Sequence, residues 1–133
     1  MATAGDHKGP PRPAPPPSPL QSERETVEHM QRVAFIMHIK SGTEEEYRRR
    51  HRQVWPELLA DLKRAGCSNY SIFLRGLDLF AYMEVEDFQR FLNIMAASQA
   101  SQRWEEQMGD ILVRETNPAT GFPYVLSEVF HLD

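Results

Sequence analysis

The chain has 133 residues with a formal charge of −4, and charged side chains make up 26% of it, which fits one modest domain with a well-solvated surface. The mild acidity argues against a nucleic-acid partner, for which a basic surplus is the usual footprint, and no apolar run approaches the roughly 18–20 residues that a membrane span needs. Cys67 is the sole cysteine, which excludes an internal disulfide and fits a reducing, cytoplasmic setting.

Residues 1–31 read as a disordered tail, because Pro10, Pro11, Pro13, Pro15, Pro16, Pro17 and Pro19 crowd a stretch with almost nothing to bury. Its Pro-x-x-Pro spacing suits an SH3-type groove only weakly. The domain is expected over 32–133.

Val33, Phe35, Met37 and Ile39 alternate with Ala34, Ile36 and His38, the pattern of a first strand that ends at Lys40, Ser41 and Gly42. Thr43 followed by Glu46 has the form of a capping box, so a helix is expected from about Thr43. It is bent or restarted at Pro56 and continues through Leu58, Leu59 and Leu62 to Gly66. Two strands, 69–74 and 77–86, follow as a hairpin around Arg75-Gly76. Phe88, Phe91, Leu92 and Met95 repeat at helical spacing, and after a break near Ser98 a further helix presents Trp104, Met108 and Ile111. Asn117-Pro118 and Gly121-Phe122-Pro123 are loop chemistry, and 124–132 reads as a last strand.

The order β-α-β-β-α-(α)-β is that of an α+β, ferredoxin-like domain with an antiparallel sheet and helices on one face. Ala34 and Ile36, Phe80 and Tyr82, and Leu126 and Phe130 place bulk on the second face too. A homodimer forming an α/β barrel, whose last strand crosses to the partner, is the economical cover.

The chemistry concentrates where Tyr47, His51 and Trp55 fall four residues apart on one helix face. An imidazole between aromatic rings exchanges protons near neutrality, hydrogen-bonds a polyol and stacks on a sugar ring. Arg48, Arg49, Arg50 and Arg52, balanced by Glu44, Glu45 and Glu46, read as a solvated flank. No phosphate loop, nucleophile elbow or compact His/Cys metal motif is present.

Several separated blocks are similar, in order and spacing, to the L-rhamnose mutarotases. They are Glu45-Glu46-Tyr47 through His51, Val54-Trp55-Pro56-Glu57-Leu58, Asn69-Tyr70-Ser71-Ile72, Gln102-Arg103-Trp104 and Ser127-Glu128-Val129-Phe130. The resemblance spans nearly all of 32–133 and implies a homodimeric α/β barrel acting on a monosaccharide. The reaction it implies interconverts the anomers of a six-carbon deoxy sugar, with no metal and no organic cofactor. It further implies that His51 is the proton donor, that Tyr47 and Tyr70 contact the sugar, and that Trp104 stacks on it. Glu105 departs from the family pattern, standing where a second tryptophan follows the first, and is expected to bind substrate. His131 stands where many relatives end in an aromatic residue. The second proton-handling group is left open among Tyr47, Glu105, His131 and a held water. The alternatives are a cofactor-free monooxygenase on the same barrel and a non-catalytic sugar-binding or scaffold dimer.

Overall fold

The computed structural model describes residues 30–133, so the proline-rich tail lies outside the described residues. The elements are β1 (Gln31–Ile39), α1 (Glu44–His51), α2 (Pro56–Arg64), β2 (Cys67–Arg75), β3 (Asp78–Val85), α3 (Phe88–Ala97), α4 (Gln99–Met108), and the two-residue strands β4 (Leu112–Val113), β5 (Thr116–Asn117) and β6 (Phe122–Pro123). The main sheet runs β2-β3-β1-β4 with every neighbour antiparallel, which is the ferredoxin-like order, and β5 and β6 form a small hairpin of their own.

Strand alternation sorts the side chains by face. Val33, Phe35 and Ile39 of β1 and Leu79, Ala81, Met83 and Val85 of β3 are buried under the helices. They join two abutting core clusters, one reaching Phe91 of α3, the other Leu58 of α2 and Trp104 and Met108 of α4. The opposite face carries an apolar row, since Phe73 pairs with Phe80 and Phe80 with Ile36. Among the described residues no helix covers it: Phe73 is 64% and Phe80 42% exposed.

Pro56 divides the helical stretch. It occupies the first turn of α2, and the residue before a proline is driven out of the helical region, so Trp55 is extended at φ −62°, ψ 136°. Helix α1 therefore stops at His51. Gly66, with φ +81°, ends the second helix as expected. The capping box does not form: Thr43 Oγ1 donates to the Lys40 backbone carbonyl at 2.6 Å instead of capping, and the guanidinium of Arg49 draws off the Glu46 carboxylate. Ser98 does cap, accepting from the Ser101 amide at 3.0 Å while donating to Asp61 at 2.6 Å.

The expected last strand needs correction. The fourth strand of the sheet is the short β4, paired to His38 and Ile39, whereas the backbone of the segment after Pro123 meets β1 at a Phe35–Val125 bridge and a Leu126 amide bond to Ala34. Beyond that it has no strand partner among the described residues, and Val129 and Leu132 are 94% and 81% exposed. Its alternating apolar side chains are left bare by the described residues.

One irregularity in β2 sets the direction of Tyr70. Between Ser68 and Ser71 the register with β3 slips, and Asn69 adopts φ +48° while its amide donates to Glu84 at 2.7 Å. Such a bulge re-aims the neighbouring side chain, and here it returns Tyr70 to the helix-covered face. Asparagine tolerates the left-handed region far better than a branched residue. Asn69→Val is expected to lower stability by roughly 1–2 kcal/mol in urea unfolding, with Asn69→Gly costing clearly less; equal losses would mean that the hydrogen bond to Glu84, not the backbone, governs the site.

Candidate active site

A cavity of about 930 Å³ lies between the helices and the inner face of the sheet, inside the span of roughly 300–1,000 Å³ usual for small-molecule sites. Its wall includes His51 from the end of α1, Tyr70 from β2, Trp104 and Glu105 from α4, and Arg114 just after β4. Much of the remainder is aliphatic, with Leu58 and Leu62 of α2 and Met95 of α3 among it.

His51 is held on three sides. Its ring stacks on Tyr47 at 4.0 Å between centroids, meets the edge of Trp104 at 5.4 Å, and its Nδ1 lies 3.0 Å from the Tyr47 carbonyl oxygen. A carbonyl can only accept, so Nδ1 carries the hydrogen and Nε2 is the position left for exchange. Burial pushes the imidazole below its ordinary value, and the hydrogen bond to the Tyr47 carbonyl partly opposes this. Trp55 packs edge-on against Trp104 at 5.2 Å, so the aromatic stack runs Tyr47, His51, Trp104, Trp55. Trp55 is half-buried against the core and does not line the cavity.

Tyr47 lies beneath His51, buried in the second core cluster, and does not itself line the cavity. Burial raises its phenol, and the charge of Glu105 raises it further. Burial likewise raises Tyr70, with Tyr47, Cys67 and Glu105 adding to the effect. Both tyrosines therefore keep their protons near neutrality. Cys67 is pushed up to about 11 by burial and stays a packed thiol.

Glu105 is in the wall and is not free. Arg114 Nη1 holds its carboxylate at 2.9 Å, and Arg114 Nη2 donates to its backbone carbonyl. His131 is elsewhere: its Nε2 lies 2.9 Å from Asp133, and it does not line the cavity. Of the groups left open for the second proton, Glu105 is the ionisable one that the fold brings into the cavity with His51. Among the described residues, no group of three or more His, Cys, Asp and Glu side chains is placed to hold a metal ion, and no helix is long and apolar enough to cross a membrane.

Two participants escaped the sequence. Arg114 carries no local motif and acts only because β4 brings it back to α4. Arg50, read as part of a solvated flank, is turned inward with its side chain 13% exposed, whereas Arg48 and Arg49 do face solvent at 55% and 60%.

The L-rhamnose mutarotase family model matches residues 32–132. Among named relatives, the L-rhamnose mutarotase of Opitutus terrae is 47% identical over 109 residues, covering 78% of this chain and all of that protein. The L-rhamnose mutarotase of Listeria monocytogenes serovar 1/2a is 42% identical over 106 residues, covering 77% and 99% respectively. A crystal structure of an L-rhamnose mutarotase from Formosa agariphila superposes with a TM-score of 0.63 at 34% identity, covering 77% of this chain and 99% of that one.

Trp104 is 8% exposed and belongs to the core as well as to the cavity wall. Trp104→Ala is expected to cost about 3–5 kcal/mol of stability in urea unfolding, and Trp104→Phe much less; a loss below about 1 kcal/mol for the alanine variant would contradict the packing described.

Proposed function

We infer that this chain, which belongs to the L-rhamnose mutarotase family, is an isomerase that interconverts the α and β anomers of L-rhamnose. The observation that carries the reading is His51, fixed in a cavity wall with Nδ1 committed to the Tyr47 carbonyl, so that Nε2 is the exchangeable position.

The chemistry needs two coupled proton transfers. Protonated His51 gives its Nε2 proton to the ring oxygen as the bond from the anomeric carbon to that oxygen breaks. The anomeric hydroxyl passes its proton to the Glu105 carboxylate, and its oxygen becomes the carbonyl of the open aldehyde. The carbonyl turns about the adjacent carbon–carbon bond, and closure on its other face reverses both transfers. No covalent intermediate and no cofactor enters this scheme. Tyr70 offers a hydroxyl that stays protonated, Trp104 an apolar face for the C–H surface and methyl group of the sugar, and Tyr47 the support under the imidazole.

The functional unit in this reading is 32–133, with 1–31 a separate tail, and the setting is the cytoplasm, where a lone buried thiol is at home. The protein works as a homodimer. The apolar row Phe73, Phe80 and Ile36 and the bare Val129, Phe130 and Leu132 ask for a cover of the same kind, and a second copy placing sheet against sheet closes an α/β barrel. Arg32 holds Glu128 through a paired contact at 2.6 and 3.0 Å, which keeps the terminal segment along that face.

Anomer exchange is measured by saturation transfer between the anomeric protons of L-rhamnose. His51→Ala should lower it by roughly 10²- to 10⁴-fold with the fold intact; an active, folded variant would remove His51 from the mechanism. The acid form of His51 does the work, and burial places its titration below the ordinary value of about 6.5, so the rate should climb as pH is lowered from about 8 to about 6. A rate that falls over that range would assign His51 the role of base.

A Phe80→Glu variant should sediment as a monomer, since it buries a charge at the middle of the proposed contact; a dimer of unchanged stability would place the interface elsewhere.

A further inference from the structure

Helix α1 is only eight residues long and buries a single side chain, Tyr47. Helices this short are unstable alone and take their position from tertiary contacts. His51 is the last residue of this helix, immediately before the break that Pro56 imposes, where fraying is expected. A ring at such a place keeps a fixed direction only if something else holds the helix end.

Arg50 supplies that hold. Its Nη1 donates to the Gln107 carbonyl at 2.9 Å and to Asp110 Oδ1 at 2.9 Å, and its Nη2 donates to Asp110 Oδ2 at 3.1 Å. Its Nε lies 3.4 Å from Glu46 in its own helix. The two-pronged contact with Asp110 has directional rigidity that a lysine ammonium does not reproduce. The Gln107 carbonyl is one of the orphan acceptors at the end of α4, so the same guanidinium caps that helix. Gln107 lies three residues after Trp104, hence on the same side of α4 and one turn beyond the indole that meets His51. Two helix ends are thus pinned at two heights, by Arg50 at one and by the His51–Trp104 contact at the other.

Resting on the reading that His51 handles the proton, we propose that Arg50, clamped by Asp110 and the Gln107 carbonyl, is a positioning residue that fixes the His51 imidazole against Trp104 and toward the sugar. It touches no reacting atom. It acts by removing the freedom of the last turn of α1, so that Nε2 points into the cavity before substrate arrives. Asp110 is its counterpart: the Arg50 guanidinium holds this carboxyl below the usual range, so the clamp stays charged on both sides across the working pH.

The test uses the full chain with Arg50→Lys and, as a milder change, Asp110→Asn, each also combined with His51→Ala. Anomer exchange on L-rhamnose is followed by saturation transfer, and His51 is titrated by NMR without sugar. In folded Arg50→Lys protein, kcat should fall about 10- to 100-fold while KM stays within about twofold, with a smaller loss for Asp110→Asn. Neither change should lower the residual rate of His51→Ala, because both act through the imidazole. In the sugar-free protein, the His51 titration should move up toward that of an ordinary histidine as the loosened ring meets water. Folded variants exchanging at the wild-type rate, or losing as much in the His51→Ala background, would overturn the proposal. A wild-type chain that exchanges no L-rhamnose would contradict the functional reading instead, and the His51 titration would then decide: an unchanged curve in Arg50→Lys overturns the positioning role.

Discussion

The contact on which the site depends is the 3.0 Å hydrogen bond between His51 Nδ1 and the carbonyl of Tyr47 in its own helix. It selects the tautomer, keeps the ring stacked on Tyr47 at an interplanar angle of 23°, and leaves Nε2 as the nitrogen that can exchange a proton. That geometry exists because the helix stops there. Pro56 forces Trp55 out of the helical region, so the last turn of α1 is followed by a loop and α2 starts afresh. A continuous helix would carry His51 on its flank without an open side. Proline, imidazole and tyrosine carbonyl form one device, and the Arg50 clamp secures its open end.

The sheet divides the labour. Its inner face joins all four helices into the core and leaves the cavity, while the bulge at Asn69 turns Tyr70 inward, so that it lines the cavity with His51. Its outer face keeps an exposed apolar row, the kind of patch that marks an interaction surface. The cavity wall is mixed in the same way: aliphatic residues exclude water around Trp104, and the Glu105–Arg114 pair sets one fixed charge where a polyol can meet it. An ion pair of this exposure adds little stability, so its value lies in the direction it gives the carboxylate.

What could be read from the chain follows from how local each signal is. The Tyr47/His51/Trp55 spacing, the stop at Gly66 and the hairpin near Gly76 are encoded within a few residues, and the outer-face bulk of Ile36 and Phe80 follows from simple alternation. Tyr70, Trp104 and Glu105 entered only through the family resemblance, since nothing in their neighbourhoods ties them to His51; the fold does, by setting β2 and α4 around one cavity. Arg50 and Asp110 are sixty residues apart, and four arginines in five positions look alike until the helix is docked. The strand expected over 124–132 misled for the opposite reason: its alternation is real, but among the described residues it finds no strand to pair with beyond Val125 and Leu126.

The central claim is that a sugar sits in this cavity with its reacting end at His51, and a crystal structure of the His51→Asn variant with L-rhamnose tests it directly. The account expects the ring oxygen and anomeric hydroxyl at the replaced side chain and near Glu105, the C–H face on Trp104, and a hydroxyl on Tyr70. A sugar bound elsewhere, or bound here with its anomeric end turned away from position 51, would contradict it.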